Sequence, residues 1–266
     1  MTAETRADAL ARLYDLDLSE DPGDLDLYLA LADRVDEPIV ELAVGTGRIA
    51  VPLAAAGHRV VGIDLDPAML ARAAARARES GPAASERLDL VQGDLVDVDV
   101  PGEGDFGLVI LGLNSILLLA ERGRQRRAMQ RMFELLRPGG LAVIDTWLPG
   151  AEDLVRFDGR LSLEWLRTDP QTGRDVVKLA AAWYDAGSRL VTLTTIFDEA
   201  EPGSAPVRWT RSDALRLVGP DELEDHAADA GLEVESVAGD YDLSPFWPGS
   251  DRAILILRRP GRPSPP

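Results

Sequence analysis

The stretch Ile39-Val-Glu-Leu-Ala-Val-Gly-Thr-Gly-Arg-Ile-Ala50 decides the fold. Its apolar first half reads as a short buried strand, Gly45 and Gly47 as a tight turn, and the residues beyond as the start of a helix. Glycine has no Cβ, so such a turn bends sharply and lets a ligand approach the backbone. The following helix aims its free N–H groups and the positive end of its dipole at the turn. A parallel α/β sheet binds its ligand at such a place, outside the carboxyl ends of the strands. Glu41 adds a chemical constraint. A carboxylate inside an apolar strand is costly to bury alone, so a polar or cationic group is expected to face it.

Working downstream, Gly47–Ala56 reads as an Ala-rich helix ended by Gly57, and Arg59–Ile63 as the second strand. Asp64 follows at its carboxyl end, where an acid can take both hydroxyls of a ribose. Its other role would be a helix N-cap, but Asp66 fills that better because Pro67 then sits at N1. The helix Pro67–Ser80 stops before Gly81-Pro82. Leu88–Val91 is the third strand, followed by Gln92-Gly93-Asp94-Leu95. Phe106–Leu113 is a nearly unbroken apolar run, as expected for a strand covered on both faces. Asn114-Ser115 then lies at its carboxyl end, on the ligand side. Residues 121–136 form a helix with an Arg-rich outer side, closed by Arg137-Pro-Gly-Gly140. The fifth strand, Leu141–Ile144, leads into Asp145.

Two cofactor classes use a strand, glycine turn and helix. The dinucleotide fingerprint G-x-G-x-x-G would place glycines where this chain has Ala43, Gly45 and Arg48, so its third glycine is missing. The pattern E-x-A-x-G-x-G instead resembles motif I of the class I S-adenosylmethionine (SAM)-dependent methyltransferases, usually E/D-x-G-x-G-x-G, with Ala43 replacing the first glycine. A helix ending in R-P-G-G before a strand and an acid is a frequent mark of the same family. The resemblance covers residues 10–147 closely and 219–258 more loosely. It implies a doubly wound, Rossmann-like α/β sheet of seven mostly parallel strands, the last antiparallel, with SAM as cofactor. The cofactor residues it implies are Tyr14, Glu41, Ala43, Gly45, Thr46, Gly47, Arg48, Asp64, Leu65, Met69, Gly93, Asp94, Leu95 and Leu111. Within that set, Tyr14-Asp15 matches a Tyr-Asp placed against the amino-acid end of SAM, although Tyr14 also suits plain core packing. Asp94 matches the acid that accepts the adenine amino hydrogens, or else is a turn residue.

The remainder divides by pattern. Residues 5–17 and 24–35 carry helical spacing, split by Asp21-Pro22-Gly23, and read as an N-terminal cap over residues 1–36. The cofactor core spans 37–148. Beyond Pro149-Gly150, Leu161–Arg167, Asp175–Asp185, Arg189–Asp198 and Val207–Leu217 alternate or carry β-branched residues between turns. They predict an antiparallel β insertion or lid over 149–218. A helix at Pro220–Ala230 and strands at Leu232–Val237 and Ala253–Leu257 return to the core sheet over 219–258. The tail 259–266 is rich in proline and expected to be disordered.

A chain of 266 residues, 45% hydrophobic, suits one sizeable domain with some elaboration. Its net charge of −18 argues against nucleic acid or an anionic membrane as partner, since phosphates would be repelled. There is no cysteine, which excludes disulfides and thiolate chemistry. The charged N-terminus lacks an apolar leader and no long apolar run follows, so a cytoplasmic monomer or homodimer is expected. No ligand motif of the H-E-x-x-H kind suggests a metal.

All five tryptophans lie beyond the fifth strand, at 147, 165, 183, 209 and 247. They either fill a thin β layer or line a lid over the acceptor. Neither histidine is placed as a base: His58 precedes the amino end of a strand and His226 sits mid-helix. Relatives often carry a histidine four residues after the asparagine of N-S, where this chain has Leu118. Acids and phenols (Asp145, Glu164, Tyr184, Tyr241) are the remaining candidates, with Asn114 and Tyr241 favoured for the acceptor. The expected activity is methyl transfer from SAM to a small molecule with an N, O or C nucleophile, achieved mainly by positioning. The layout is most similar to methyltransferases of amino-sugar and other natural-product pathways. The alternatives are a SAM-binding protein without transfer, whether a binding module or a SAM-assisted cyclase, and more distantly an NAD oxidoreductase.

Overall fold

The computed structural model describes residues 4–20, 22–36, 38–201 and 203–261. The last five residues of the expected disordered tail, 262–266, lie outside the described residues. The chain divides into two compact units, Asp21–Leu148 with Val218–Pro266 and Met1–Glu20 with Pro149–Leu217. Strands β1–β11 and helices α1–α8 are numbered along the chain through both.

The larger unit holds β1 (Ile39–Leu42), β2 (Val60–Asp64), β3 (Leu88–Gln92), β4 (Phe106–Leu111), β5 (Leu136–Trp147), β10 (Glu233–Ala238) and β11 (Arg252–Arg258). They form one sheet in the order β10-β11-β5-β4-β1-β2-β3. β1 to β5 pair in parallel, whereas β11 runs antiparallel to both β5 and β10. The expected seven-stranded, mostly parallel sheet is therefore present. Helices α2 (Leu25–Ala32), α3 (Ala50–Ala55), α4 (Pro67–Ser80), α5 (Pro82–Arg87), α6 (Arg122–Leu135) and α8 (Pro220–Ala230) complete the unit. Every residue of β1 and β4 is buried, which is why their sequences show no alternation. Strand order reverses between β1 and β4, the topological switch point where such sheets bind ligands.

Local rules account for most boundaries. Asp66 caps α4 by accepting the Ala68 N–H at 2.8 Å, with Pro67 in the first turn, as expected. α8 opens on Pro220 and closes on Gly231 in the left-handed region. Two expectations are corrected. Helix α3 begins at Ala50 rather than Gly47, because Gly45 and Gly47 have φ of 55° and 77° and cannot join a right-handed helix. β5 begins at Leu136 and absorbs Arg137-Pro-Gly-Gly140, because Gly139 donates to the Arg259 carbonyl and Arg259 donates back to Gly140. Helix α5 and the short α7 (Ala151–Arg156) had no strong sequence signal and appear as additions. Among the described residues no helix is long and apolar enough to cross a membrane.

The smaller unit contains α1 (Arg6–Asp17), α7 and a four-stranded antiparallel meander, β6 (Asp158–Thr168), β7 (Asp175–Asp185), β8 (Leu190–Ala200) and β9 (Val207–Arg216). The expected N-terminal cap is thus divided, with α1 packing on this sheet and α2 belonging to the larger unit. Leu13 and Leu16 of α1 bury against Val176 and Phe197, with Trp165 and Trp209 packed beside them. Arg12, only 5% exposed, reaches from α1 to Glu199 at 3.0 Å and to Asp169. Lys178, the one lysine, holds Asp17 at 2.7 Å. Trp165 and Trp209 are therefore partly buried against the core of the smaller unit, whereas Trp183 and Trp247 are exposed. Glu164 and Tyr184 also belong to this unit.

Candidate active site

Within the larger unit, the loop after β1 takes a strained path. Ala43, Gly45 and Gly47 all have positive φ, at 56°, 55° and 77°. A Cβ on Gly47 would lie 2.9 Å from Val51 Cγ2 and 3.1 Å from Ala73 Cβ, so close helix packing as well as conformation demands glycine there. Ala43 pays for its left-handed geometry, roughly 1–2 kcal/mol for an L-residue. Ala43→Gly should therefore raise stability by about 0.5–1 kcal/mol, after allowing for the extra chain entropy of glycine. Urea midpoints of the two proteins measure this, and a less stable variant would show that Ala43 is not strained.

Asp64, at the carboxyl end of β2, ties this loop down. Its Oδ2 accepts the Gly45 N–H at 2.8 Å and its Oδ1 the Asp66 N–H at 2.9 Å. A carboxylate has about four acceptor sites, so capacity remains for a ligand hydroxyl. Burial raises the Asp64 carboxyl above its usual range, partly offset by these backbone donors.

Glu41 lies in the middle of β1 and is 4% exposed. Burial pushes its carboxyl up to about 8, with Arg48 and the Ala50 N–H pulling the other way. Its Oε2 has no hydrogen-bond partner among the described residues, and neither has the hydroxyl of fully buried Tyr28. Burial, then the Asp145 and Asp24 carboxylates, push the Tyr28 hydroxyl well above its ordinary value. Gly112, just past β4, leaves room for that hydroxyl, which would stand 2.7 Å from a Cβ there. Arg48 occupies the place of the absent third glycine. Its guanidinium grips fully buried Asp24 with two bonds, at 2.5 and 2.6 Å, anchoring the start of α2 to the loop.

The carboxyl ends of β4 and β5 carry a second cluster. Leu113 and Asn114 both have positive φ, at 46° and 65°, an unusual pair of left-handed non-glycine residues. Asp145, fully buried in β5, accepts the Leu113 N–H at 3.3 Å, the Tyr241 hydroxyl at 2.7 Å and an Arg252 N–H. The Arg252 guanidinium also lies 4.2 Å above the Tyr241 ring. Asn114 donates its N–H to the Asp145 carbonyl, and its Oδ1 accepts the Trp147 N–H. This side chain therefore braces the corner onto β5. Burial drives both Asp145 and Tyr241 upward; Tyr241 is held as a proton donor to Asp145.

Other residues singled out in the sequence fall less centrally. Asp94 accepts from Arg124 at 2.6 Å and from the Val96 N–H at 3.2 Å. Leu111 is fully buried, whereas Leu65 is 67% exposed. His58 lies just before the amino end of β2, 3.7 Å from Asp33. His226 is buried in α8, 3.7 Å from Glu222. Sequence reasoning missed Asp24, Tyr28 and Arg252. Asp24 and Tyr28 lie in the stretch 24–35, whose helical spacing carries no signal for a buried acid or an unpartnered phenol. Nothing local in the sequence marks Arg252 as the partner of a residue in β5.

Residues 39–140 match the family model described as a methyltransferase domain. A putative methyltransferase of Geobacillus sp. (strain WCH70) is 33% identical over 107 residues, 40% of this chain and 41% of that protein. The chain thus matches less than half the length of this relative. The cypemycin N-terminal methyltransferase of Streptomyces sp is 26% identical over 237 residues, 83% of this chain and 82% of its own. The CcbJ methyltransferase from Streptomyces caelestis shares the fold with a TM-score of 0.77 and 24% identity, covering 91% of this chain and 97% of its own.

Proposed function

We propose that this chain, whose residues 39–140 match a methyltransferase-domain model, is a SAM-dependent methyltransferase that methylates an amine of a small molecule. The observation that carries the cofactor reading is the pair of buried, unpartnered polar atoms beside the glycine loop, Glu41 Oε2 and Tyr28 Oη. They suit the polar amino-acid end of SAM. Asp64 has acceptor capacity for the ribose hydroxyls beyond its bonds to Gly45 and Asp66, and the left-handed loop at 43–47 leaves the backbone approachable. These residues fit the cofactor. When bound, SAM supplies a methyl group on a positively charged sulfur, an electrophile that needs little further activation.

What the chain adds is placement and charge. Asp24, Glu41, Asp64 and Asp145 gather around the switch point, with Arg48 and Arg252 as their counter-charges. Such an acid-rich surround favours cationic ligands. The attacking amine must reach the site neutral, because Tyr241 is occupied as a donor to Asp145 and cannot take its proton. Asn114 and Tyr241 are then positioning residues at the corner where the acceptor meets the cofactor side. The amine reading also draws on the relative named for N-terminal methylation. Oxygen and carbon acceptors are the competing outcomes.

Isotope-labelled SAM with panels of amine, hydroxyl and activated-carbon acceptors tests this. Labelled product only from hydroxyl or carbon acceptors would overturn the amine assignment. SAM binding with no transfer to any class would favour a binding protein. In single-turnover assays, His58→Ala and His226→Ala should keep rates within about tenfold, at most ~1.4 kcal/mol on the barrier. A true general base is worth about 10²–10⁴-fold. A thousandfold loss in folded His226→Ala would replace the positioning account with a histidine base.

A further inference from the structure

Helix α2 has eight residues, too few to persist alone in water, so side chains decide how it sits in the larger unit. Asp24 stands at its N-cap, where an aspartate usually accepts an N–H from the helix's own first turn. Here no such side-chain bond forms. Both carboxylate oxygens turn instead to Arg48, whose two terminal nitrogens meet them at 2.5 and 2.6 Å. The Asp24 side chain is fully buried and that of Arg48 is 18% exposed. A two-pronged bond of this kind fixes direction as well as distance. An ordinary cap would tie α2 to itself, whereas this one ties it to the end of the glycine turn.

One helical turn beyond Asp24 comes Tyr28, whose N–H donates to the Asp24 carbonyl at 3.3 Å. Its ring belongs to the same apolar cluster as Ile49 and Ala50, the residues directly after Arg48. Its hydroxyl is buried with no hydrogen-bond partner among the described residues. A Cβ on Gly112 would meet that oxygen at 2.7 Å and Ile49 Cδ1 at 3.1 Å, so the hydroxyl lies between the end of β4 and the start of α3. Burial keeps it protonated, which makes it a donor in need of an acceptor.

We propose that Arg48 is a positioning residue: through Asp24 it seats α2, and so holds the Tyr28 hydroxyl as a donor to the carboxylate at the amino-acid end of SAM, without touching the cofactor itself. The inference rests on the cofactor reading given above. Direct contact is disfavoured because both terminal nitrogens of Arg48 are engaged by Asp24, and moving them to a ligand would strand a fully buried charge. The residue that replaces the third glycine of the dinucleotide pattern thus serves the neighbouring helix rather than the ligand.

Calorimetry with two ligands tests this. S-adenosylhomocysteine carries the amino-acid end, whereas methylthioadenosine keeps the adenosine and lacks that end. Arg48→Met should weaken S-adenosylhomocysteine by about tenfold or more, the scale of a lost hydrogen bond to a charged group. Methylthioadenosine should stay within about twofold, as for a site that does not share the altered contact. Asp24→Asn and Tyr28→Phe should each show the same split. In the Tyr28→Phe background, Arg48→Met should weaken S-adenosylhomocysteine no further. If Arg48→Met fails to fold, Asp24→Asn carries the comparison, because it leaves no buried carboxylate unpaired and Arg48 is partly exposed. Equal losses of both ligands would mean that Arg48 only supports the fold. A folded Asp24→Asn that binds like the parent would mean that Arg48 touches the cofactor directly, and additive losses with Tyr28→Phe would detach Arg48 from Tyr28. Each of these overturns the inference alone, whereas a parent that binds neither ligand overturns the cofactor reading and this inference with it.

Discussion

Raising the pH from about 5 to 8 should destabilise the ligand-free protein, and Glu41→Gln should remove most of that dependence. Glu41 titrates near 4.5 in an unfolded chain and near 8 in the folded one, chiefly through burial. Between these values the folded state holds a proton that the unfolded state has released. The stabilising effect is therefore complete below about 4.5, declines as pH rises, and is exhausted above about 8. The slope for one such proton is about 1.4 kcal/mol per pH unit. Asp64 and Asp145, also raised by burial, contribute in the same direction. Glutamine keeps the shape and a neutral charge, so it should leave stability at pH 5 nearly unchanged and raise it at pH 8. Urea unfolding of both proteins across this range measures the difference. Parallel pH curves for parent and variant would mean that Glu41 is already ionised, with a counter-charge that its surroundings do not reveal. A cationic ligand should flatten the parent's curve, since it stabilises the ionised carboxylate.

Arg252→Met should cost about 3–5 kcal/mol of stability, the usual result of leaving a buried charge without its partner. Asp145 is fully buried, and Arg252 is its one ion-pair partner among the described residues. The Leu113 N–H and the Tyr241 hydroxyl would remain as donors, so the carboxylate would not be wholly abandoned. The loss should shrink in acid, where Asp145 takes up a proton. It should also shrink in the background Asp145→Asn, because the variant then has no charge to strand. A double-mutant cycle from calorimetric melts gives this coupling directly. Equal losses in both backgrounds would show that Arg252 acts through its stacking on Tyr241 instead. The same variant should loosen the Leu113–Asn114 corner, whose two left-handed residues depend on Asp145 for a backbone acceptor and a side-chain acceptor alike.

Much of this molecule could be read locally. The strand, glycine turn and helix at 39–56, the cap at Asp66-Pro67 and the acid at the end of β2 are short-range signals. Each is set by backbone conformation or by a hydrogen bond to a near neighbour in the chain. The seven-stranded, mostly parallel sheet followed from the family resemblance, its strand order only from the structure, and the antiparallel insertion from its alternation and turns. Errors arose where distant partners intervened. β5 extends back to Leu136 because the chain around Arg259 pairs with Gly139 and Gly140. α1 leaves the expected cap because Arg12 finds Asp169 and Glu199 in a sheet that begins some 150 residues later. The strain at Ala43 comes from its left-handed φ, which the sequence pattern does not reveal. The site's polar logic was least legible. Asp24 with Arg48, and Asp145 with Tyr241 and Arg252, are pairings between elements that meet only in the folded sheet. Desolvation, which makes those pairings necessary and raises Glu41, exists only once the core has closed around them.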